Sequence, residues 1–188
     1  MEGGIRAWEG LTAAGAPDSG MAYFGGATRP DELIALAWVL EEGSRKFYSE
    51  VSVLLGDHEA RQLFTDLAAA EEHHKEALSR LYRERSGRAP GPGFPGELLP
   101  AGASTPETSI NDLMEGGMRI SDALSWAKGS DAGGILELAI SLETNSYDLY
   151  LKMGREAADE ESKKVFTALY TEEKGHLSRL AGLLDKKF

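Results

Sequence analysis

The chain is written twice. Displaced against itself by 102 positions, residues 35–82 overlay residues 137–184 without a gap, and 15 of the 48 aligned pairs are identical. They include Leu36/Leu138, Leu40/Leu142, Glu41/Glu143, Tyr48/Tyr150, Phe64/Phe166, Leu67/Leu169, Glu71/Glu173 and His74/His176. A unit recurring at such a period is one supersecondary element. Its apolar positions keep a helical period and no strand alternation interrupts them. The unit is therefore a helical hairpin, and the chain holds two. Matching apolar positions follow from a shared core face. Matching Glu and His do not, because a polar group in a core is costly unless it has a partner there.

Punctuation places four long helices. The first opens at Thr28 or Arg29, ahead of Pro30, Asp31 and Glu32, a proline and two acids suited to a first turn, and runs to about Leu55 before Gly56. The second follows Asp57, a good N-cap, and ends near Ser86 and Gly87. The third runs from about Ala132 to Met153 before Gly154, and the fourth follows Asp159 to about Leu184. Between the second and third, residues 83–109 hold five of the seven prolines, and the segment is too long for an ordinary loop between bundle helices. A long crossover is what a bundle needs when its second and third helices run parallel. A flexible linker that lets two copies exchange hairpins is the other reading. A shorter amphipathic piece follows at about Ser109–Lys128, with Ile110, Leu113, Met114, Ile120, Leu124 and Trp126 apolar. The expected organisation is a leader over 1–27 and an all-α four-helix bundle over 28–188: hairpin 28–86, crossover 87–131, hairpin 132–185.

Each hairpin offers one Glu on its first helix and Glu-x-x-His on its second: Glu41 with Glu71 and His74, Glu143 with Glu173 and His176. Residues i and i+3 share a helix face, so each Glu-x-x-His can aim both donors at one ion. A lone Glu-x-x-His on an acidic helix is ordinarily solvated. Two copies, each with an upstream Glu at the same offset, make a six-residue ligand set of four carboxylates and two imidazoles. Four carboxylates neutralise two divalent ions, and neutral His completes each coordination sphere. The repeat also discriminates. Glu42 pairs with Thr144, Glu72 with Lys174, His73 with Gly175 and Glu172 with Ala70, so none of these acids or His73 joins the ligand set; His58 pairs with Glu160 and is expected at the surface. Tyr48 and Tyr150 lie seven residues after Glu41 and Glu143, on nearly the same face. They are either core or hydrogen-bond donors to a ligand carboxylate. The set Leu36, Leu40, Phe47, Leu63, Phe64, Leu67, Leu138, Leu142, Val165, Phe166 and Leu169 is expected as core, and Trp38 as core or interface.

Composition narrows the chemistry. The chain has no cysteine, which excludes disulfides, thiolate nucleophiles and Cys-ligated clusters. A metal here must be held by oxygen or imidazole. A net charge of −11 argues against nucleic acid, whose phosphates need Lys and Arg to replace their counterions. There is no basic-then-apolar secretory start and no apolar run long enough for a membrane span, so a cytoplasmic protein is expected.

These residues resemble the rubrerythrin branch of the ferritin-like superfamily. The stretches ALAWVLEEGSRKFY (35–48), LAAAEEHHKEAL (67–78), LAISLETNSYDLY (138–150) and LYTEEKGHLSRL (169–180) are similar to its two carboxylate helices and two Glu-x-x-His helices, over about residues 30–184. The resemblance implies a ferritin-like four-helix bundle with a long crossover between helices 2 and 3. It implies two iron ions held by Glu41, Glu71, His74, Glu143, Glu173 and His176, with manganese or zinc able to substitute. The implied activity is a non-haem di-iron oxidoreductase that reduces hydrogen peroxide or reacts with oxygen. Many rubrerythrins end in a Cys-ligated rubredoxin domain, which a cysteine-free chain lacks, so the electrons are expected from a separate donor such as a rubredoxin-like protein. Some carry a further carboxylate near the third-helix ligand; here the flanking positions are Ile140 and Ser146, which puts the ligand exchange of those enzymes in doubt. The alternatives are a ferroxidase or iron-binding protein, or a bundle whose metal does no redox work. A homodimer fits, exchanged through the crossover or not. Residues 1–17, MEGGIRAWEGLTAAGAP, resemble the C-terminal end of a rhodanese-like domain, which implies the second half of a rhodanese–rubrerythrin fusion without the sulfurtransferase core.

Overall fold

The computed structural model describes residues 29–99 and 110–187. The leader, with its rhodanese-like stretch, and residues 100–109 of the crossover lie outside them. Among the described residues there are five α-helices: α1 (Pro30–Leu54), α2 (His58–Ser86), α3 (Ile120–Ala127), α4 (Ala132–Glu156) and α5 (Glu160–Lys187). No strand occurs among them; one isolated antiparallel bridge joins Leu113 to Arg119.

Local chemistry sets the starts of the four long helices and the end of α2 where the sequence placed them, while α5 runs on to Lys187, past the expected Leu184. Arg29 opens α1, its main-chain N–H and its guanidinium both donating to Glu32 (3.2 and 2.7 Å). Asp57 caps α2 by accepting from Ala60 N at 2.9 Å, and Asp131 caps α4 by accepting from Gly134 N at 2.8 Å. Each cap satisfies a donor that the first helical turn leaves unpaired, worth about 1 kcal/mol. Asp159 accepts from Ser162 N at 2.9 Å at the head of α5. Gly87 ends α2 at φ 66°, the left-handed conformation that glycine adopts without cost. The third long helix differs from expectation: α4 passes through Gly154 to Glu156. Phe166 Cβ of α5 lies 3.5 Å from where a Gly154 side chain would begin, an ordinary packing distance, and the helix continues through this position.

The two hairpins pack α1 on α2 and α4 on α5, and α2 also meets α5. Two buried clusters fill the interior. One gathers Phe47, Tyr48, Phe64, Leu67, Leu138 and Leu142; the other Leu36, Leu40, Tyr150, Phe166 and Leu169. The expected core positions are all buried except Val165, which packs half-buried on the second cluster. Trp38 is half-buried, donating to Ser79 Oγ at 3.1 Å, with Lys75 Nζ 4.8 Å above its ring.

The segment expected as one amphipathic piece is broken. Residues Ile110–Asp112 and Glu115–Gly117 form single 3₁₀ turns, and only Ile120–Ala127 is α-helical. Gly116 and Gly117 stand at φ 69° and 71°, which reverses the chain. Met114 N donates to Met118 O at 2.9 Å across the resulting loop. Leu113 and Met114 are buried, so the crossover is pinned into the bundle at this point.

Candidate metal centre

The six residues singled out by the repeat converge. Glu41 (α1), Glu71 and His74 (α2), Glu143 (α4), Glu173 and His176 (α5) are all buried. They form two overlapping sets whose donor atoms lie within 4.8 Å of one another: Glu41, Glu71, His74 and Glu173; and Glu71, Glu143, Glu173 and His176. Glu71 and Glu173 belong to both. His74 Nδ1 is 3.2 Å from Glu41 Oε2, 3.0 Å from Glu71 Oε2 and 3.1 Å from Glu173 Oε1. His176 Nδ1 is 3.1 Å from Glu143 Oε2 and 3.2 Å from Glu173 Oε2. The two imidazoles stack with centroids 5.6 Å apart.

The electrostatics are those of a site that wants cations. Burial, then the Glu41 charge, pushes the Glu71 carboxyl well above its ordinary range. Burial, then Glu173, raises Glu143 to about 8. Burial opposes a charged imidazole, but the surrounding carboxylates overcome it: His176 is raised to about 10, by Glu143 and Glu173, and His74 is raised by Glu41, Glu172 and Glu173. Glu173 is lowered despite its burial, because Glu143 and both histidines hydrogen-bond to it. Yet protons do not satisfy the cluster. Glu71 Oε1 is fully buried with no hydrogen-bond partner, while Glu71 Oε2 and Glu173 Oε1 compete for the one Nδ1 of His74, at 3.0 and 3.1 Å. A buried oxygen costs about 1–3 kcal/mol when left unpaired. Hard oxygen donors with two imidazoles, at this charge, suit two divalent cations such as Fe(II), Mn(II) or Zn(II).

The tyrosines act across the repeat. Tyr48 of the first hairpin donates its hydroxyl to Glu143 Oε1 of the second at 2.8 Å, and Tyr150 of the second donates to Glu41 Oε1 of the first. Burial, then the facing carboxylate, keeps both phenols well above their usual pKa, so they remain donors. The rings lie in the core, and each hydroxyl donates to a buried carboxylate of the other hairpin.

The residues set aside sit outside the cluster. Lys75 pairs with Glu42 at 2.6 Å and Glu72 at 2.9 Å, and Arg45 with Glu42 at 2.9 Å. Burial works against the Glu42 charge, but Arg45 and Lys75 hold its carboxyl down at about 2. His58 and His73 are exposed. Glu172 has a role that its missing repeat partner concealed: its Oε2 lies 3.1 Å from His74 Nε2, leaving Nδ1 turned inward, the usual way an outer carboxylate orients a ligating imidazole.

The sequence reading missed one interior acid. Glu115, at the tip of the crossover loop, is 2% exposed. Ser44 Oγ donates to its Oε2 at 2.8 Å, and Ser146 Oγ donates to its Oε1. Burial, then Glu41, raises its carboxyl well above the ordinary range. Having no repeat mate, Glu115 was invisible to the symmetry argument. The available signal was Ser44/Ser146, an identical pair in the repeat, each three residues after a ligand Glu.

No protein-family model matches the chain, and no curated protein matches it. A solved structure of a hypothetical protein from Pyrococcus furiosus is similar in fold, with a TM-score of 0.60 over 84% of this chain and 89% of that one, at 20% identity.

Proposed function

We propose that the chain is a ferritin-like four-helix bundle of rubrerythrin type, a non-haem di-iron oxidoreductase that reduces hydrogen peroxide or reacts with oxygen. The observation that carries the reading is the pair of overlapping buried ligand sets, related by the 102-residue repeat, with Glu71 Oε1 left unpaired among them. Glu41, Glu71, His74 and Glu173 would hold one iron and Glu71, Glu143, Glu173 and His176 the other. Iron bound there supplies the two electrons that peroxide reduction consumes and the positive charge that stabilises the departing oxygen. The chain's own residues do the rest. Tyr48 and Tyr150 fix the carboxylates of Glu143 and Glu41, and Glu172 fixes the imidazole of His74. The buried leucines and phenylalanines around the cluster keep bulk water out. The 188 residues contain no cysteine for a Cys-ligated iron centre, so the electrons would come from outside them, as from a rubredoxin-like donor.

The test is anaerobic Fe(II) loading followed by one equivalent of hydrogen peroxide. Rapid oxidation of the bound iron with consumption of the peroxide supports the reading, and repeated cycles with a chemical reductant show turnover. Iron that binds but is inert to peroxide and oxygen, or oxidises once into a mineral, refutes it in favour of a non-redox or ferroxidase role.

A further inference from the structure

We infer that Glu115 is a fifth carboxylate of the metal centre, delivered by the crossover, and that it ties metal loading to the seating of that crossover. The inference rests on the metal reading above. The imidazoles belong to α2 and α5, whereas Glu115 lies between α1 and α4, gripped by Ser44 and Ser146. Each serine stands one helical turn from a ligand, Glu41 or Glu143. The carboxyl is therefore held by both hairpins, beside the helices that carry Glu41 and Glu143.

The surrounding backbone is shaped to bring it there. Gly43, in the middle of α1, lies directly against the crossover. A Cβ on it would meet the Leu113 carbonyl and come within 2.7 Å of Met114 Cα. On the other side, a Cβ on Gly116 would come within 2.9 Å of Asn145 Nδ2 of α4. Positions 43 and 145 are repeat mates, and the pair Gly43 and Asn145 breaks the symmetry to admit one loop. A loop needing only an anchor would be served by a neutral amide, which could accept from one serine and donate to the other. An acid among four other buried acids is costly and gains only where cations share the space. Each oxygen accepts from one hydroxyl, and a carboxylate oxygen has a second lone pair to offer.

The test uses the full chain, Mn(II) as a redox-silent probe, titration calorimetry and amide hydrogen exchange. Glu115→Gln is expected to bind Mn(II) about tenfold more weakly or worse, the scale on which a metal's supporting groups act. Mn(II) should slow exchange at residues 113–119 in the wild type and not in Glu115→Gln. The double variant Ser44→Ala/Ser146→Ala should weaken Mn(II) binding in the same direction, and it serves as the test if Glu115→Gln does not fold. Unchanged affinity with unchanged protection of 113–119 in these variants overturns the inference while leaving the metal centre intact. A wild type that takes up no Mn(II) or Fe(II) overturns the metal reading itself, and this inference with it.

Discussion

Replacing Glu71 by leucine should stabilise the metal-free protein and destroy its response to metal. Glu71 Oε1 is buried without a hydrogen-bond partner, its Oε2 shares His74 Nδ1 with Glu41 and Glu173, and Glu41 and Glu173 repel the ionised group. At about 1–3 kcal/mol for one buried unpaired oxygen, removal gains about 2 kcal/mol. For a chain of this size, that raises the melting temperature by about 4–8 °C. His74 keeps Glu41, Glu173 and Glu172 as partners, so no buried charge is stranded. The metal-loaded comparison has the opposite sign. An ion present at 100 times its dissociation constant stabilises by about 2.7 kcal/mol per site, and Glu71 belongs to both donor sets. Thermal unfolding with and without Mn(II) reads both effects. Wild type should melt lower without metal and rise sharply with it; Glu71→Leu should melt higher without metal and barely respond. A variant that is less stable without metal, or that keeps the wild-type response, refutes the reasoning.

Tyr48→Phe and Tyr150→Phe each strand an oxygen of a ligand carboxylate, at a cost of about 1–3 kcal/mol; each should weaken Mn(II) binding in calorimetry, and by similar factors because the two bonds are repeat-related. The metal-free protein should lose stability as pH rises from about 4.5 to about 8: Glu143, raised from its ordinary 4.5 to about 8, keeps a proton there that the unfolded chain has released. His176, raised from 6.5 to about 10, continues the same trend, whereas lowered Glu173 acts in the opposite sense only at more acid pH. Melting temperature against pH should therefore fall across that window, and Mn(II) affinity, which must expel those protons, should rise across it. Gly43→Ala should cost about 1–3 kcal/mol by forcing α1 and the crossover apart, while Gly182→Ala, with open space at its Cβ, should gain about 0.5–1 kcal/mol in denaturant titration.

What the sequence revealed depended on whether a feature was written in both halves. Glu41, Glu71 and His74 could be paired with Glu143, Glu173 and His176 because polar residues in a core do not recur at a fixed offset without a shared task. Helix ends were legible at Asp57, Gly87 and Asp159, where capping chemistry is local. Gly154 misled because a glycine inside a helix and a glycine at a helix end look alike in sequence. The crossover was opaque for a different reason. Its conformation at Leu113–Arg119 depends on Gly43 and Asn145, residues far away in sequence, so nothing local marks Glu115 as an interior acid. Glu172 escaped because its partner is the outer nitrogen of a histidine on another hairpin, a contact that only packing creates.

The central claim is that this chain holds a dinuclear centre. The direct measurement is metal content after anaerobic Fe(II) titration and removal of free ions, wild type beside Glu71→Ala. About two irons per chain in the wild type, and far fewer in the variant that loses the shared ligand, is the expected result. No retained iron in the wild type, or the same content in both proteins, would contradict the account.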